Sequence, residues 1–188
     1  MTNLAPMTLG DLLRSSGVLA SLPDAVNAAL AVGRVVSDSR RVEPGAVFVA
    51  CQGARSHGIA FADGAVRDGA VAVVTDELPG ATASIGLTVP VLLVGDARAA
   101  LGPLAAARLG HPSHRLHVIA VTGTNGKTTT TILMAQLLTA AGFRAAAIGT
   151  TGIWTAQGVR PSQLTTPEAA DLQQLFADLL AEGFTHVA

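Results

Sequence analysis

The sequence predicts an α/β protein: a small N-terminal α/β domain followed by the first part of a second domain with a mostly parallel sheet. Short apolar, β-branched runs alternate along the 188 residues with segments of helical periodicity. Glycine, proline and polar residues cluster at residues 110–115 and interrupt that alternation. We therefore expect one domain over residues 1–109, a linker at 110–115 and the start of a second, truncated domain at 116–188.

Composition narrows the class of protein. Apolar residues make up 49% of the chain and charged residues 13%, which favours a folded interior over disorder. The net charge of −1 offers no basic footprint, so we expect no nucleic-acid partner. No uncharged apolar run approaches the roughly 18 residues of a spanning helix, so we expect no membrane insertion. Cys51 has no partner for an internal disulfide, which fits the cytoplasm.

The elements of the first domain follow from apolar patterning and turn residues. Glu43, Pro44 and Gly45 form a predicted turn between the first two strands. Asp96 is predicted to cap the last helix. In chain order the sequence predicts a helix at Thr8–Arg14, strands at Arg34–Ser37 and Ala46–Cys51, a helix at Phe61–Asp68, strands at Ala70–Thr75 and Val89–Val94, and a helix from Asp96 to Arg108.

The second domain reads in the same way. In chain order we expect a strand at His117–Val121, a helix from Lys127 to Ala141 closed by Gly142, a strand at Ala145–Thr150, a loop through Pro161, a helix at Pro167–Glu182 and a strand at Phe184–Ala188. The residues of its first helix predicted to face the sheet are Ile132, Leu133, Leu137 and Ala140. Because nothing follows the last strand in this chain, we expect an open sheet edge there, which favours association.

The run from Val118 to Thr130 carries the strongest functional signal. An apolar strand enters a glycine-rich turn, and Lys127 and Thr128 stand at the start of a helix. Such a turn aims backbone N–H groups and the positive end of the helix at phosphate. Lys127 is placed to reach the outer phosphates, and the Thr128 hydroxyl to bind magnesium. The residues predicted to bind ATP are Gly123, Thr124, Asn125, Gly126, Lys127, Thr128 and Thr129.

The strict phosphate-loop pattern has glycine where this sequence has Val121. The simpler alternative is a strand-to-helix turn whose glycines only supply positive φ angles. That alternative does not explain a lysine and a threonine directly at the helix start. We therefore favour the phosphate-binding interpretation.

Several motifs, in order, resemble the Mur ligases of peptidoglycan synthesis and their MurE type in particular. MurF-type ligases share the upstream pattern but usually differ at the position of Asn125 and generally lack the Thr-Thr-Pro-Glu run. The motifs that carry the resemblance are Asp38–Arg40, Pro44–Gly45, Val47–Ala50, Gly53, Arg108–Ser113, Val121–Thr130 and Thr165–Glu168.

The resemblance implies an N-terminal UDP-binding domain and a P-loop ATPase domain. It implies an ATP- and Mg²⁺-dependent ligase, monomeric when full-length. Its partners would be UDP-N-acetylmuramoyl-L-alanyl-D-glutamate and a diamino acid, which is meso-diaminopimelate, L-lysine or L-ornithine. An acyl phosphate on the D-glutamate side chain would be the intermediate. A second metal carboxylate, a modified lysine and the acceptor-selecting domain would lie beyond Ala188, so we expect this chain alone to be inactive.

Carried over by residue, the resemblance makes Lys127 the catalytic residue and Thr128 the metal ligand. Substrate contacts would come from Ser37, Ser39, Thr165 and Thr166, and from the stretch Ala54–Ser56. Each has a structural alternative: Thr165 and Glu168 fit a capping box, and Asp38 and Arg40 fit a surface ion pair. His57-Gly58-Ile59 stands where the family often has Asp-Gly-His, which leaves any substrate contact there open.

Other functions remain open on the sequence alone. They are a non-catalytic module that binds a nucleotide or UDP-sugar, a MurF-type ligase, and a related ligase acting on folate or polymeric amino acids. Asp38–Arg40 and Thr165–Glu168 argue against the last. The five histidines have no metal-ligand spacing and are expected on the surface or in loops.

Overall fold

The computed structural model describes residues 5–19, 26–54, 56–77, 88–161 and 167–188. The chain divides into two compact units, Met1–Gly110 and His111–Ala188. Each unit is an α/β structure, which confirms the predicted fold class. No helix in the described ranges combines the length and the apolar character needed to cross a bilayer.

The first unit is built on a parallel sheet. Its elements are α1 (Leu9–Ser16), β1 (Val35–Val36), β2 (Val47–Ala50), α2 (Ala62–Arg67), β3 (Ala72–Thr75), β4 (Val91–Leu93) and α3 (Ala97–Arg108). The four described strands pair in the order β1-β2-β3-β4. Strand alternation turns Phe48 and Ala50 toward α2, while α3 contacts β1 and β2.

The helices of this unit begin within one residue of the predicted positions. Asp96 is the N-cap of α3, and its carboxylate accepts a hydrogen bond from the Ala99 N–H at 2.8 Å. Thr8 is the N-cap of α1 rather than its first residue, and its hydroxyl accepts from the Asp11 N–H. Both caps satisfy backbone N–H groups that a helix leaves without an intrahelical partner.

The second unit carries a mixed sheet. Its elements are α4 (Pro112–Arg115), β5 (His117–Val118), α5 (Lys127–Ala140), β6 (Ala145–Gly149), β7 (Gly152–Thr155), β8 (Gly158–Arg160), α6 (Ala169–Ala181) and β9 (His186–Val187). The described strands pair in the order β5-β9-β6-β7-β8. β5, β9 and β6 are parallel, as predicted, whereas β6, β7 and β8 are antiparallel. The helical turn α4 lies inside the segment predicted as a linker.

The predicted loop between β6 and Pro161 is wrong, because it contains the β7–β8 hairpin. Two-residue turns connect Gly149 to Gly152 and Thr155 to Gly158. Gly152 has φ +118°, and a Cβ at this position would overlap the Arg160 carbonyl oxygen. Glycine therefore allows β8 to lie close beside β7.

The expected open edge at the last strand is also wrong. β9 lies between β5 and β6, and its neighbours bond to it from both sides. The Ile119 N–H donates to the Val187 carbonyl at 2.8 Å, and the Ala188 N–H donates to the Ala146 carbonyl at 2.9 Å. Among the described strands, β5 is the edge on this side, and both of its residues are exposed.

Helix α5 turns a different face to the sheet from the one predicted. Its buried residues are Thr131 and Ala135, and Ala135 packs with Ala145 and Ala147 of β6. Ile132 joins this cluster as expected, but Leu133 is 52% exposed, Leu137 is 70% exposed and Ala140 is exposed. A buried threonine is possible because the Thr131 hydroxyl donates to the Thr128 carbonyl at 3.0 Å.

Helix α6 covers the other face of the sheet. Phe176 and Leu179 pack there with Ala146, Ile153 and Val187. The helix begins at Ala169, with Glu168 as its N-cap and no side-chain cap bond. Thr165, which the sequence offers as the N-cap of a capping box with Glu168, lies outside the described residues.

Candidate functional site

The predicted phosphate loop follows strand β5 directly. Gly123 has φ +150° and Gly126 has φ +78°, so both use backbone conformations that favour glycine. The residues from Thr122 to Lys127 are exposed. Because the loop leaves the carboxyl end of a parallel strand, it lies at the edge where open α/β sheets bind their ligands.

The loop ends at the N-terminus of α5. Gly126 is the N-cap and supplies no side-chain cap. The Thr130 N–H donates the first intrahelical bond, to the Gly126 carbonyl at 2.9 Å. The N–H groups of Lys127, Thr128 and Thr129 therefore precede the hydrogen-bond ladder. Such a helix end, with its positive partial charge, suits an anionic ligand.

Lys127 is folded back over the loop. Its Nζ donates to the Gly123 carbonyl at 2.6 Å and lies 3.4 Å from the Thr124 carbonyl. The ammonium group is thus held on the loop itself, close to the glycine turn. Phosphate oxygens are stronger acceptors than these carbonyls, so bound phosphate would replace them as its partners.

The loop offers few protein groups that could bind a metal. This fits a magnesium ion held largely by the phosphates of a bound nucleotide. Thr128 lies in the first turn of α5 and offers a hydroxyl oxygen. In the described part of the chain, no group of three or more His, Cys, Asp or Glu side chains is placed to hold a metal. Magnesium commonly keeps several waters and binds through substrate phosphates and few protein groups. Thr128 is therefore the residue here that would hold it.

The predicted substrate residues of the first unit flank an ion pair. Asp38 caps the 3₁₀ turn Ser39–Arg41, and its carboxylate accepts from the Arg40 N–H at 3.0 Å. The Arg40 guanidinium also donates to it at 2.9 and 2.7 Å, which confirms the predicted surface pair. Hydrogen bonds from Arg40 lower the pKa of Asp38. Ser37 and Ser39 lie half-buried on either side of Asp38.

A tight turn follows strand β2 at the same edge of the sheet. Gln52 and His57 form an antiparallel bridge, and the Gly53 N–H donates to the Ser56 carbonyl at 3.0 Å. The Arg98 guanidinium of α3 donates to the Gln52 carbonyl at 2.9 Å. Since β1 and β2 are parallel neighbours, their following loops lie at one edge, and Ser37, Ser39, Ala54 and Ser56 belong to these loops.

Sequence reasoning missed the contacts of His57, which was expected on the surface or in a loop. Its side chain is only 11% exposed, and its Nε2 lies 2.7 Å from Oδ1 of Asp76. Asp76 is 19 residues away, so no local spacing signals the pair. The Ala97 N–H donates to the other Asp76 oxygen at 2.9 Å. This bond, with the His57 bond, lowers the pKa of Asp76 against an opposing effect of burial.

Thr165 and Thr166, the predicted substrate contacts of the second unit, lie outside the described residues. A groove of about 420 Å³ lies between α5, β6 and β7, and none of its lining residues belongs to the phosphate loop. The groove is thus separate from the candidate ATP site.

Two family profiles match the chain. "Mur ligase family, catalytic domain" matches residues 32–109, and "Mur ligase middle domain" matches residues 121–188. The phosphate loop falls in the second match, and Ser37, Ser39 and His57 fall in the first. The two matches agree on one family and leave only the chain start and residues 110–120 unmatched.

Individual relatives agree with the profiles. The UDP-N-acetylmuramoyl-L-alanyl-D-glutamate–2,6-diaminopimelate ligase of Geobacillus thermodenitrificans is 43% identical over 80% of this chain and 29% of its own length. A solved structure of a ligase of that name matches 96% of this chain and 35% of its own, with a TM-score of 0.75 and 28% identity. The MurF ligase of Thermotoga maritima, solved with ADP, matches 82% of this chain and 30% of its own, with a TM-score of 0.51 and 28% identity.

The chain thus spans about a third of the length of the relatives it matches. Over that third, the sequence profiles, the relatives and the fold all indicate the same family. The chain belongs to the Mur ligase family.

Proposed function

We propose that this chain is the nucleotide- and UDP-substrate-binding part of a MurE-type ligase. The enzyme would join a diamino acid to UDP-N-acetylmuramoyl-L-alanyl-D-glutamate at the expense of ATP. The observation that carries the proposal is the loop Gly123–Thr129, where glycines, a lysine and an uncapped helix end converge on one spot. The relatives with 41–43% identity are named diaminopimelate ligases, which supports the MurE type over the MurF type.

The chemistry follows from the need to activate a carboxylate. A carboxylate is a poor electrophile. Attack of a carboxylate oxygen on the γ-phosphorus of ATP forms an acyl phosphate, and the bond from that phosphorus to the β,γ-bridging oxygen breaks to release ADP. The amine of the diamino acid then attacks the acyl carbon, and inorganic phosphate leaves as the amide forms. Positive charge near the transferred phosphoryl group stabilises the first step.

The residues of this chain take separate roles in that reaction. Lys127 would leave the loop carbonyls and bind the outer phosphates. Thr128 would hold magnesium, which neutralises phosphate charge when bound. Ser37 and Ser39 would contact the UDP-linked substrate at the sheet edge of the first unit. Thr165 and Thr166 are proposed as further substrate contacts.

Three finer points belong to the same proposal. We propose diaminopimelate as the diamino acid, because the relatives with 41–43% identity are ligases of that name. L-lysine and L-ornithine are the alternatives that an assay must test. We also propose a cytoplasmic enzyme, in keeping with its single cysteine, and a monomer when full-length.

The test is an assay of the full-length protein with ATP, Mg²⁺ and the UDP-linked dipeptide. Each of the three diamino acids is added in turn, and ADP release and tripeptide formation are measured. The proposal predicts equal amounts of ADP and UDP-linked tripeptide, with diaminopimelate as the preferred acceptor. Binding of ATP and of the UDP-linked dipeptide without turnover would instead indicate a non-catalytic module.

A further inference from the structure

The loops that follow three neighbouring strands of the first unit are joined by one chain of hydrogen bonds. His57 follows β2, Asp76 follows β3, and Ala97 begins α3 after β4. The His57 ring bonds to one carboxylate oxygen of Asp76 at 2.7 Å, and the Ala97 N–H donates to the other at 2.9 Å. Asp76 thus connects the β2 loop to the start of α3.

The pattern of bonds assigns the proton positions on His57. Its Nδ1 accepts a hydrogen bond from the Ile59 N–H at 3.1 Å, so this nitrogen carries no proton. Its Nε2 therefore carries the proton and donates to Asp76. Glu77 also faces the ring, with a carboxylate oxygen 3.6 Å from Nδ1. The ring does two separable things: one nitrogen caps the 3₁₀ turn Gly58–Phe61, and the other reaches Asp76.

The turn held by His57 leaves little room for adjustment. The Gly58 N–H donates to the Cys51 carbonyl at 2.9 Å, and the Gly53 N–H donates to the Ser56 carbonyl at 3.0 Å. A Cβ on Gly53 would stand 2.9 Å from the Ser56 oxygen, and one on Gly58 equally close to the Ala50 backbone. A second bond, from Arg98 to the Gln52 carbonyl, ties the other end of the turn to α3.

We propose that His57 is a positioning residue for the UDP-linked substrate. Through Asp76 it fixes the tight turn after β2 against α3, beside the loop that carries Ser37 and Ser39. The turn is thereby held in its binding geometry before the substrate arrives, which spares the cost of ordering it. This inference rests on the proposed function, because it assumes that the UDP-linked substrate binds at this edge.

Two substitutions separate the two functions of the ring. His57→Asn keeps an acceptor near Nδ1 for the Ile59 N–H but is too short to reach Asp76. His57→Gln places an amide donor near Nε2 and keeps the Asp76 bond. The probe is UDP-N-acetylmuramoyl-L-alanyl-D-glutamate, titrated calorimetrically into the 188-residue chain and its variants. Circular dichroism and hydrogen exchange at the Gly53 and Gly58 amides accompany the titration.

The proposal predicts that His57→Asn binds the probe about tenfold more weakly, while His57→Gln stays within about threefold of wild type. Exchange at Gly53 and Gly58 should accelerate in His57→Asn only. If both folded variants bind like wild type, the positioning role is overturned while the proposed function stands. If both weaken equally, the bond to Asp76 is not the cause, and the role is again overturned. If wild type itself fails to bind the probe, the proposed UDP site fails, and the inference with it.

Discussion

The two sheets of this chain are covered to different extents. In the first unit, every residue of β2 and β3 is buried. In the second, both residues of β5 are exposed, and α5 presents Leu133 and Leu137 to solvent. Both units begin from similar sequence patterns of apolar runs and helices. The difference shows that an apolar residue in a regular helix is not necessarily a core residue, even next to a well-formed sheet.

The largest expected contrast compares the same substitution in the two units. Leu104 of α3 is fully buried, whereas Leu137 of α5 is 70% exposed. We expect Leu104→Ala to lower the free energy of unfolding by about 2–5 kcal/mol, because it leaves a cavity. Leu137→Ala should change it by less than about 0.5 kcal/mol. Denaturant unfolding followed by circular dichroism measures both.

An equal loss for the two variants would break the comparison. It would mean that the outer face of α5 is covered in solution, and association through this face or the β5 edge would be the first explanation. Sedimentation at high and low concentration distinguishes the cases. If the outer face of α5 is exposed in solution, the protein should be a monomer at both concentrations. Leu137→Ala should then leave the free energy of unfolding unchanged.

The next contrast lies within the second unit, at two glycines of the β7–β8 hairpin. Gly152 and Gly158 both have positive φ, but only at Gly152 would a Cβ meet the backbone of Arg160. Gly152→Ala should cost more than Gly158→Ala, by about 1–3 kcal/mol. Trp154 is the single tryptophan and lies in β7, so its fluorescence follows unfolding of this unit. Equal effects would show that strain at φ, and not the close strand contact, decides the cost.

The smallest contrast is in acid sensitivity. The Ala97 N–H and His57 lower the pKa of Asp76 from its ordinary 3.8, and Arg160 lowers that of Glu182 from its ordinary 4.5. A carboxyl group whose pKa is lower in the folded state adds stability at every pH above its unfolded-state pKa. This added stability is lost as the pH falls through the folded-state pKa. We therefore expect the first unit to weaken below about pH 3.8 and the second below about pH 4.5.

The Asp76 contribution should be the larger, since its side chain is 24% exposed and that of Glu182 is 42% exposed. Thermal unfolding of Asp76→Asn and Glu182→Gln between about pH 6 and about pH 3 measures the two effects. Each variant should lose less stability on acidification than wild type. A steeper loss in either variant would contradict the assignment.

The features predicted best from the sequence are those formed by residues that are contiguous in the chain. The glycine turn before α5, the Asp96 cap and the buried runs of β2 and β3 each depend on residues within one short segment, where local chemistry decides. The hairpin was missed because β7 and β8 are only four and three residues long. The available signal was a pair of glycines, Gly152 before Ile153 and Trp154 and Gly158 after them. Such glycines are typical of hairpin turns.

What failed depends on contacts between distant residues. The buried face of α5 depends on the small residues Ala145 and Ala147 of β6, against which Ala135 packs. The leucines of the helix indicate a different face. The pair of His57 and Asp76 joins two loops that meet only because β2 and β3 are neighbours. The order of β9 between β5 and β6 likewise depends on sheet topology, which periodicity does not encode.

The most direct test of the central claim, that the loop Gly123–Thr129 binds ATP phosphates, is a paired titration of Lys127→Ala. Calorimetry would measure the Kd of the 188-residue chain for ATP with Mg²⁺ and for the UDP-linked dipeptide. Loss of a charged partner for phosphate should weaken ATP binding at least about tenfold. Binding of the UDP-linked dipeptide should stay unchanged. Unchanged ATP binding, or an equal loss for both ligands in a folded variant, would contradict the account.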